Sequence, residues 1–309
     1  MKFEHLGLVG YGEVGKIFAA GLKDRLARLS AWDIKFDQPD LRDEQRGHAS
    51  RCGITAAGSM AQLCQGADLL ISAVTASSTL AVAQAAAPHI RRGTFFLDLN
   101  SASPGTKQQA AALIDAAGAH YVEAGVMSSV PPYGIRVPML LGGERAEELG
   151  SVLSQWGMDA STVSTQLGIA SAIKMCRSVM IKGLEALVIE SYATARAYGV
   201  EQHVLPTLAA TFPSIDWDTQ GAYFFSRVVQ HGQRRAQEMR EAANTVREAG
   251  FPPLMANAIA DKQQWVADQA GAGVFEGLSK QARWQDYADR LIAQIPAASK
   301  GRDGPQSSA

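Results

Sequence analysis

Short apolar runs alternate with alanine-rich stretches of helical spacing through the first half of the chain, and long stretches of helical spacing fill the second half. The runs Leu6–Val9, Leu29–Ile34, Asp68–Thr75, Thr94–Asn100, Ala119–Glu123 and Val137–Gly142 are bounded by turn residues. Their length and continuity predict strands buried on both faces, as in a parallel sheet. The intervening stretches predict helices from Glu13 to about Leu29 and over Ser77–Ala87, Pro104–Ala117 and Glu144–Trp156. This alternation predicts an α/β domain, a Rossmann-type doubly wound sheet with crossover helices. From about Gln166 the pattern predicts an all-α domain, broken at Phe212–Asp218 and Gly250–Pro253. The expected division is 1–165, 166–296 and a small, polar, mobile tail at 297–309.

The helical half opens with a segment of two stripes. Ile169, Ile173, Cys176, Met180, Leu184 and Leu187 recur every three or four residues and predict a buried face. Ser171, Lys174, Ser178, Lys182 and Glu185 form a polar face beside it. On periodicity alone Lys174 reads as a lysine that lays its stem on the surface and keeps its ammonium in water. Gly168, Ala170, Ser171 and Ala172 are small where the helix starts, so a backbone or a ligand can approach there. Trp217, Tyr223, Phe224 and Phe225 read as core or as an interface.

Composition excludes several classes. The chain is 309 residues long, 47% hydrophobic and 19% charged, with a net charge of −1. Two domains with sizeable cores fit that length, and neither disorder nor a nucleic-acid surface fits that charge. The N-terminus does not read as a signal peptide and no apolar run is long enough for a membrane span, so a cytoplasmic protein is expected. Cys52, Cys64 and Cys176 are odd in number, lack metal-ligand spacing and read as buried hydrophobes of a reducing compartment. No metal site is expected; His48, His89, His120 and His203 read as structural or exposed.

The first candidate chemistry lies between the first strand and the first helix. Gly10-Tyr11-Gly12-Glu13-Val14-Gly15 is a dinucleotide fingerprint in its required strand-to-helix setting. Gly10 permits a tight turn, Gly12 lets backbone approach a pyrophosphate and Gly15 lets the helix pack on the strand. The start of the helix offers N–H groups and a partial positive charge to phosphate. Asp33, about 20 residues on, is placed to accept hydrogen bonds from the adenosine ribose and to repel a 2′-phosphate. The cofactor reading therefore leans to NAD over NADP, although Lys35 nearby could pair with that phosphate. Val74 and Thr75, at the end of the Asp68–Thr75 strand, are expected near the nicotinamide ribose, since ligands sit beyond the carboxyl ends of strands.

With these motifs the chain resembles the 6-phosphogluconate dehydrogenase-like superfamily, the β-hydroxyacid dehydrogenases, and within it a little-characterised NAD-binding branch. The resemblance extends to about Asp289. Asp98-Leu-Asn-Ser-Ala-Ser-Pro104 resembles the family's Asp-x-Ser-Thr-x-x-Pro, with Asn100 and Ser101 at the hydroxyl positions. Glu123-Ala-Gly-Val-Met-Ser-Ser129, with the later Gly142-Gly143, resembles Asp-Ala-Pro-Val-Ser-Gly-Gly and its glycine pair. Gly168-Ile-Ala-Ser-Ala-Ile-Lys174 resembles Gly-x-Gly-x-x-x-Lys, which implies that Lys174 is the catalytic lysine.

The implied chemistry is hydride transfer between a nicotinamide and a small anionic 3-hydroxy acid, with Lys174 as general acid and base. Ser101, Ser128 and Ser129 would orient the substrate, and Met127 would line its pocket. Two departures argue against 6-phosphogluconate itself. Met127-Ser128-Ser129 replaces Ser-Gly-Gly, and Ser178 stands where the family has asparagine, with Arg177 beside it as a possible carboxylate clamp. Glu238 stands for an aspartate that closes the site, or forms an ordinary i,i+4 pair with Arg234. Arg235 or His231 could meet an anionic substrate. The implied partner is a second copy, a homodimer through the helical domain. An imine reductase-like enzyme and a non-catalytic NAD(H) sensor are the alternatives: Lys174 argues against the first, and the eroded substrate motifs favour the second.

Overall fold

The computed structural model describes residues 2–279 and 281–295. The expected tail at 297–309 lies outside these residues. Eight strands form one sheet: β1 (His5–Val9), β2 (Arg28–Trp32), β3 (Thr55–Ala56), β4 (Leu69–Ser72), β5 (Phe95–Asp98), β6 (His120–Val126), β7 (Met139–Gly142) and β8 (Ala160–Ser164). Their order is β3-β2-β1-β4-β5-β6-β7-β8. Every pair is parallel except β6 with β7, so the first six strands have the doubly wound dinucleotide-binding order. The order reverses between β1 and β4, and ligands of doubly wound sheets bind beyond the carboxyl ends at such a switch point.

Helices α1 (Glu13–Leu22), α2 (Pro39–Arg51), α3 (Met60–Gly66), α4 (Thr79–Ala86), α5 (Pro104–Ala116) and α6 (Ala146–Gln155) connect the strands. Alternate strand residues feed two separate cores. Leu6, Leu8, Ile71 and Leu97 pack on one face, and Val9, Leu70, Phe96 and Tyr121 on the other. The all-helical region follows: α7 (Ile169–Tyr198), α8 (Glu201–Thr211), α9 (Trp217–Glu248), α10 (Leu254–Gly271) and α11 (Trp284–Ala293). Its breaks fall where Pro, Gly and Asp cluster. Trp217 and Phe225 are core there, together with Val228, Val266 and Trp284, whereas Tyr223 is exposed and Phe224 packs at the edge.

Compactness divides the described residues into two units, those up to 177 with 241–253, and those of 178–240 with 254–279 and 281–295. The first turns of α7 and the last of α9 thus belong with the sheet.

Three local expectations are corrected, and two strands had not been expected. The fingerprint helix stops at Leu22, not near Leu29, because β2 must begin at Arg28 to pair with His5. β3 and β8 carried no apolar run: β3 has two residues, and β8 presents Ser161, Thr162 and Val163 to solvent. Cys64 is buried, its thiol pushed up to about 12 by desolvation, but Cys176 is exposed and Cys52 only half-buried. The α7 stripes are inverted. Met180 is 66% exposed and Leu187 57%, and Ile169, Ile173 and Cys176 are exposed too, while Ser171, Ser178, Lys182 and Glu185 are buried. Periodicity fixes the angular width of a stripe but not which side faces the core. Here the buried polar groups find polar partners, mostly on other elements, which removes the usual penalty for hiding them.

Candidate functional site

In the sheet-containing unit the fingerprint glycines have three distinct environments. Gly10 has φ +95°, and a Cβ there would strike the Ala73 carbonyl. A Cβ on Gly15 would overlap the Gly10 carbonyl oxygen, so that absent side chain brings α1 onto the turn. A Cβ on Gly12 would meet no protein atom within 4 Å. The site needs glycine at Gly10 and Gly15 for its own folding, whereas the space over Gly12 is open to a ligand. Glu13, Val14 and Gly15 begin α1, whose first N–H groups lack partners within the helix. A pyrophosphate fits that charge and that opening. Gly15→Ala is therefore expected to cost about 1–3 kcal/mol of stability through overpacking. Gly12→Ala is expected to unfold like the wild type yet bind NAD about tenfold more weakly or worse. Urea titration and NAD calorimetry on the two variants would separate these roles.

Asp33 follows β2 and is buried. Its Oδ2 accepts the Tyr11 N–H at 2.6 Å and its Oδ1 the Lys35 N–H at 2.9 Å. Two amides thus aim the carboxylate beside the glycine turn and leave lone pairs for a ribose. Lys35 is half-buried. The Tyr11 ring is buried against Phe36 with its hydroxyl 3.1 Å from His48 Nδ1, and burial pushes that phenol up to about 12. Tyr11 therefore contributes its backbone to the mouth of the site and its side chain to the core.

At the next strands, Asn100 is buried: its Oδ1 accepts the Val74 N–H at 2.7 Å and its Nδ2 donates to Ser72 Oγ at 3.0 Å. Asn100 thus ties the end of β5 to the segment after β4. Strand β4 ends at Ser72, before Val74 and Thr75; Val74 is half-buried, Thr75 is exposed, and its hydroxyl lies 3.0 Å from Ser78 Oγ. Ser101, one residue after Asn100, accepts a hydrogen bond from Lys174 Nζ at 2.6 Å.

The loop that carries Ser101 is held from behind. The Ser103 N–H and the Thr106 hydroxyl donate to Glu241, and the Ser103 hydroxyl and the Gly105 N–H donate to Glu248. Two carboxylates of the chain itself therefore occupy the start of α5. Met127 and Ser129 are half-buried and Ser128 is exposed, in the turn after β6. Arg177 is exposed.

Sequence reasoning gave Glu123 no role, yet it is fully buried on β6. Its Oε1 accepts the N–H groups of Gly168 at 2.7 Å and Ala170 at 3.1 Å, and its Oε2 accepts the Ser171 hydroxyl. The available signal was an acid inside an otherwise apolar strand, since a buried carboxylate demands partners.

In the helical unit a second set of polar side chains comes together. Lys182 Nζ lies 3.0 Å from Glu238 Oε2 and donates to Ser178 Oγ at 3.1 Å. Arg235 grips Glu185 with two N–H groups, one at 2.9 Å, and Gln263 donates to the same carboxylate at 3.2 Å. The Arg235 guanidinium, expected to meet a substrate, is thus engaged by Glu185. Arg234 is 3.9 Å from Glu238, longer than the Lys182 contact. His231 is half-buried on α9. Among the described residues no group of three His, Cys, Asp or Glu side chains could hold a metal ion, and no helix is long and apolar enough to cross a membrane.

Residues 5–164 match the family model of the NAD binding domain of 6-phosphogluconate dehydrogenase, and residues 195–266 match a domain of unknown function, DUF1932. A conserved hypothetical protein from Sinorhizobium meliloti 1021 is 37% identical, with 95% of this chain and 97% of that one covered and a TM-score of 0.75. A conserved protein of unknown function, described as structurally similar to 3-hydroxyacid dehydrogenases, is 29% identical over 86% of this chain and 99% of that one, with a TM-score of 0.64. The 3-hydroxyisobutyrate dehydrogenase of Mycobacterium tuberculosis, solved with L-serine, is 14% identical, with coverages of 94% and 99% and a TM-score of 0.67. That last likeness shows the fold alone.

Proposed function

The chain belongs to the family of the 6-phosphogluconate dehydrogenase NAD-binding domain, and on that footing we propose that it is an NAD(P)-dependent oxidoreductase acting on a small 3-hydroxy acid, with Lys174 as its general acid and base. The observation that carries the reading is the Lys174 Nζ contact with Ser101 Oγ at 2.6 Å. It lies just beyond the carboxyl end of β5, on the side of the sheet where the glycine turn follows β1. Ligands of doubly wound sheets bind on that side, at the switch point.

Bound over Gly12, the nicotinamide cofactor would supply the hydride acceptor or donor. Losing hydride from a carbinol carbon also requires losing the hydroxyl proton, so a base must sit at that oxygen. Lys174 takes this proton in oxidation and returns it in reduction. Ser101 orients the lysine and shares the substrate hydroxyl, and the hydroxyls of Ser128 and Ser129 hold the carboxylate. Buried Asp33 supports a preference for NAD, because a 2′-phosphate would meet its charge.

Purified protein assayed by nicotinamide absorbance, with NAD and NADP against a panel of 3-hydroxy acids, tests this reading. Turnover of imines without turnover of hydroxy acids would overturn it in favour of C=N reduction. Cofactor binding without any turnover would leave a sensor.

The partner belongs to the same reading. In the helical unit Met180, Ile181, Leu187 and Tyr198 expose apolar side chains on α7, and Leu187, Tyr198 and Val204 line a groove against α8 together with the polar Glu190, Ser191 and Thr194. Exposed apolar patches of this kind mark association sites, and a second copy is the proposed occupant. Leu187→Glu is expected to convert a dimer to monomer in sedimentation velocity. A wild type that sediments as a monomer at assay concentrations would refute the dimer.

A further inference from the structure

Glu123 is a fully buried carboxylate that the chemistry proposed above does not use. Its three donors, Gly168 N–H, Ala170 N–H and the Ser171 hydroxyl, all lie in the seven residues that end at Lys174. The chain makes room for it. On the antiparallel neighbour, Gly142 pairs with Glu123, and a Cβ at Gly142 would come 2.5 Å from Glu123 Oε1. Two residues along β6, a Cβ on Gly125 would lie 2.8 Å from the Ala170 carbonyl oxygen and 3.5 Å from Lys174 Cβ. Strand β6 therefore touches the start of α7 closely, and Glu123 fastens it there.

The geometry points to Glu123 as a positioning residue for Lys174, a role that rests on the proposed function of that lysine. The carboxylate satisfies two backbone donors that a helix start leaves without intrahelical partners, and a negative group is favourable there. It fixes the first turn of α7 against the strand, and with it the origin of the Lys174 side chain. The 2.6 Å contact with Ser101 depends on that origin. In acid–base catalysis an error of about 1 Å in placement can cost about 100-fold in rate, so a change one turn away from the lysine is felt at its nitrogen.

The two amide bonds both go to Oε1. Glu123→Gln can keep them with its carbonyl oxygen and donate its NH₂ to the Ser171 hydroxyl. Glu123→Ala loses all three. The experiment measures acetic anhydride labelling of Lys174 by peptide mass spectrometry, NAD affinity by calorimetry, and kcat and KM with 3-hydroxyisobutyrate as probe.

Glu123→Ala is expected to raise Lys174 labelling several-fold and lower kcat by about tenfold or more, with NAD affinity and the KM for NAD within twofold of wild type. Glu123→Gln is expected to restore both labelling and kcat. Ser171→Ala, which removes one bond and keeps the helix start, is expected to shift both in the same direction by less, and it serves if Glu123→Ala does not fold. Unchanged Lys174 labelling in folded Glu123→Ala and Ser171→Ala, or an NAD affinity that falls in parallel with kcat, would overturn the assignment. If labelling shifts as expected while the wild type turns over no hydroxy acid, Glu123 positions the lysine and the proposed reaction is what fails.

Discussion

Lys174→Ala is expected to lower kcat for hydride transfer by about 10²–10⁴-fold, the range that a positioned general acid or base contributes. The reason is local. The side chain reaches Ser101 just beyond the end of β5, whereas the glycine turn proposed to hold the cofactor lies between β1 and α1. Removing the amine should therefore leave NAD affinity unchanged, and calorimetry on the variant provides the control for folding. Lys174→Arg separates charge from proton transfer: arginine keeps a cation and N–H donors but does not give up its proton in proteins. The arginine variant is expected to be nearly as inactive as alanine in the oxidation direction, where a neutral base is required. A variant lacking the amine that kept more than a tenth of the wild-type rate would remove Lys174 from the chemistry.

The parts of this arrangement that were readable in the sequence are those with a local signal. Gly10, Gly12 and Gly15 are identifiable because strand, turn and helix occupy consecutive residues. The order of strands and helices is readable because buried parallel strands are continuous apolar runs. Strand β8 escaped because its side chains face solvent.

The helical half shows the other limit. Lys182 and Glu185 look like part of a solvated face until their partners are known, and those partners, Glu238 and Arg235, lie on α9, with Arg235 50 residues from Glu185. Asn100 was read as a substrate ligand because of its motif, while its hydrogen bonds run to Ser72 and Val74 on a different strand connection. Motif spacing locates a loop, but only tertiary contacts reveal whether a given side chain faces the ligand or holds the loop that does.

Beneath that loop lies a buried ion pair, and Lys107→Ala is expected to destabilise the fold more than Gly15→Ala does. Lys107 and Asp98 are each 1% exposed, with Nζ 3.1 Å from Asp98 Oδ1 and 2.9 Å from its carbonyl oxygen. The Tyr121 hydroxyl and the Asn100 N–H also donate to the carboxylate, and burial with the adjacent Asp98 charge drives that phenol well above its ordinary range. Taking away one partner leaves a desolvated charge, which costs about 3–5 kcal/mol. That is a large part of the roughly 5–15 kcal/mol that separates a typical native state from the unfolded chain. Lys107→Met fills the volume but leaves the same orphaned carboxylate, so it is expected to fare little better.

Lys107→Met combined with Asp98→Asn neutralises the pair while the amide oxygen still accepts the Asn100 N–H. It is expected to recover at least half of the loss in urea denaturation, a coupling that an exposed pair would not show. A single-variant loss below about 1 kcal/mol would mean that water reaches Asp98. The same variants bear on the site, because Asp98 ends the strand from which Asn100 fixes Val74 and Ser101 meets Lys174. In Lys107→Ala the loop carrying Asn100 and Ser101 should loosen before the sheet unfolds, so kcat should fall at denaturant concentrations where the strands are still protected from hydrogen exchange.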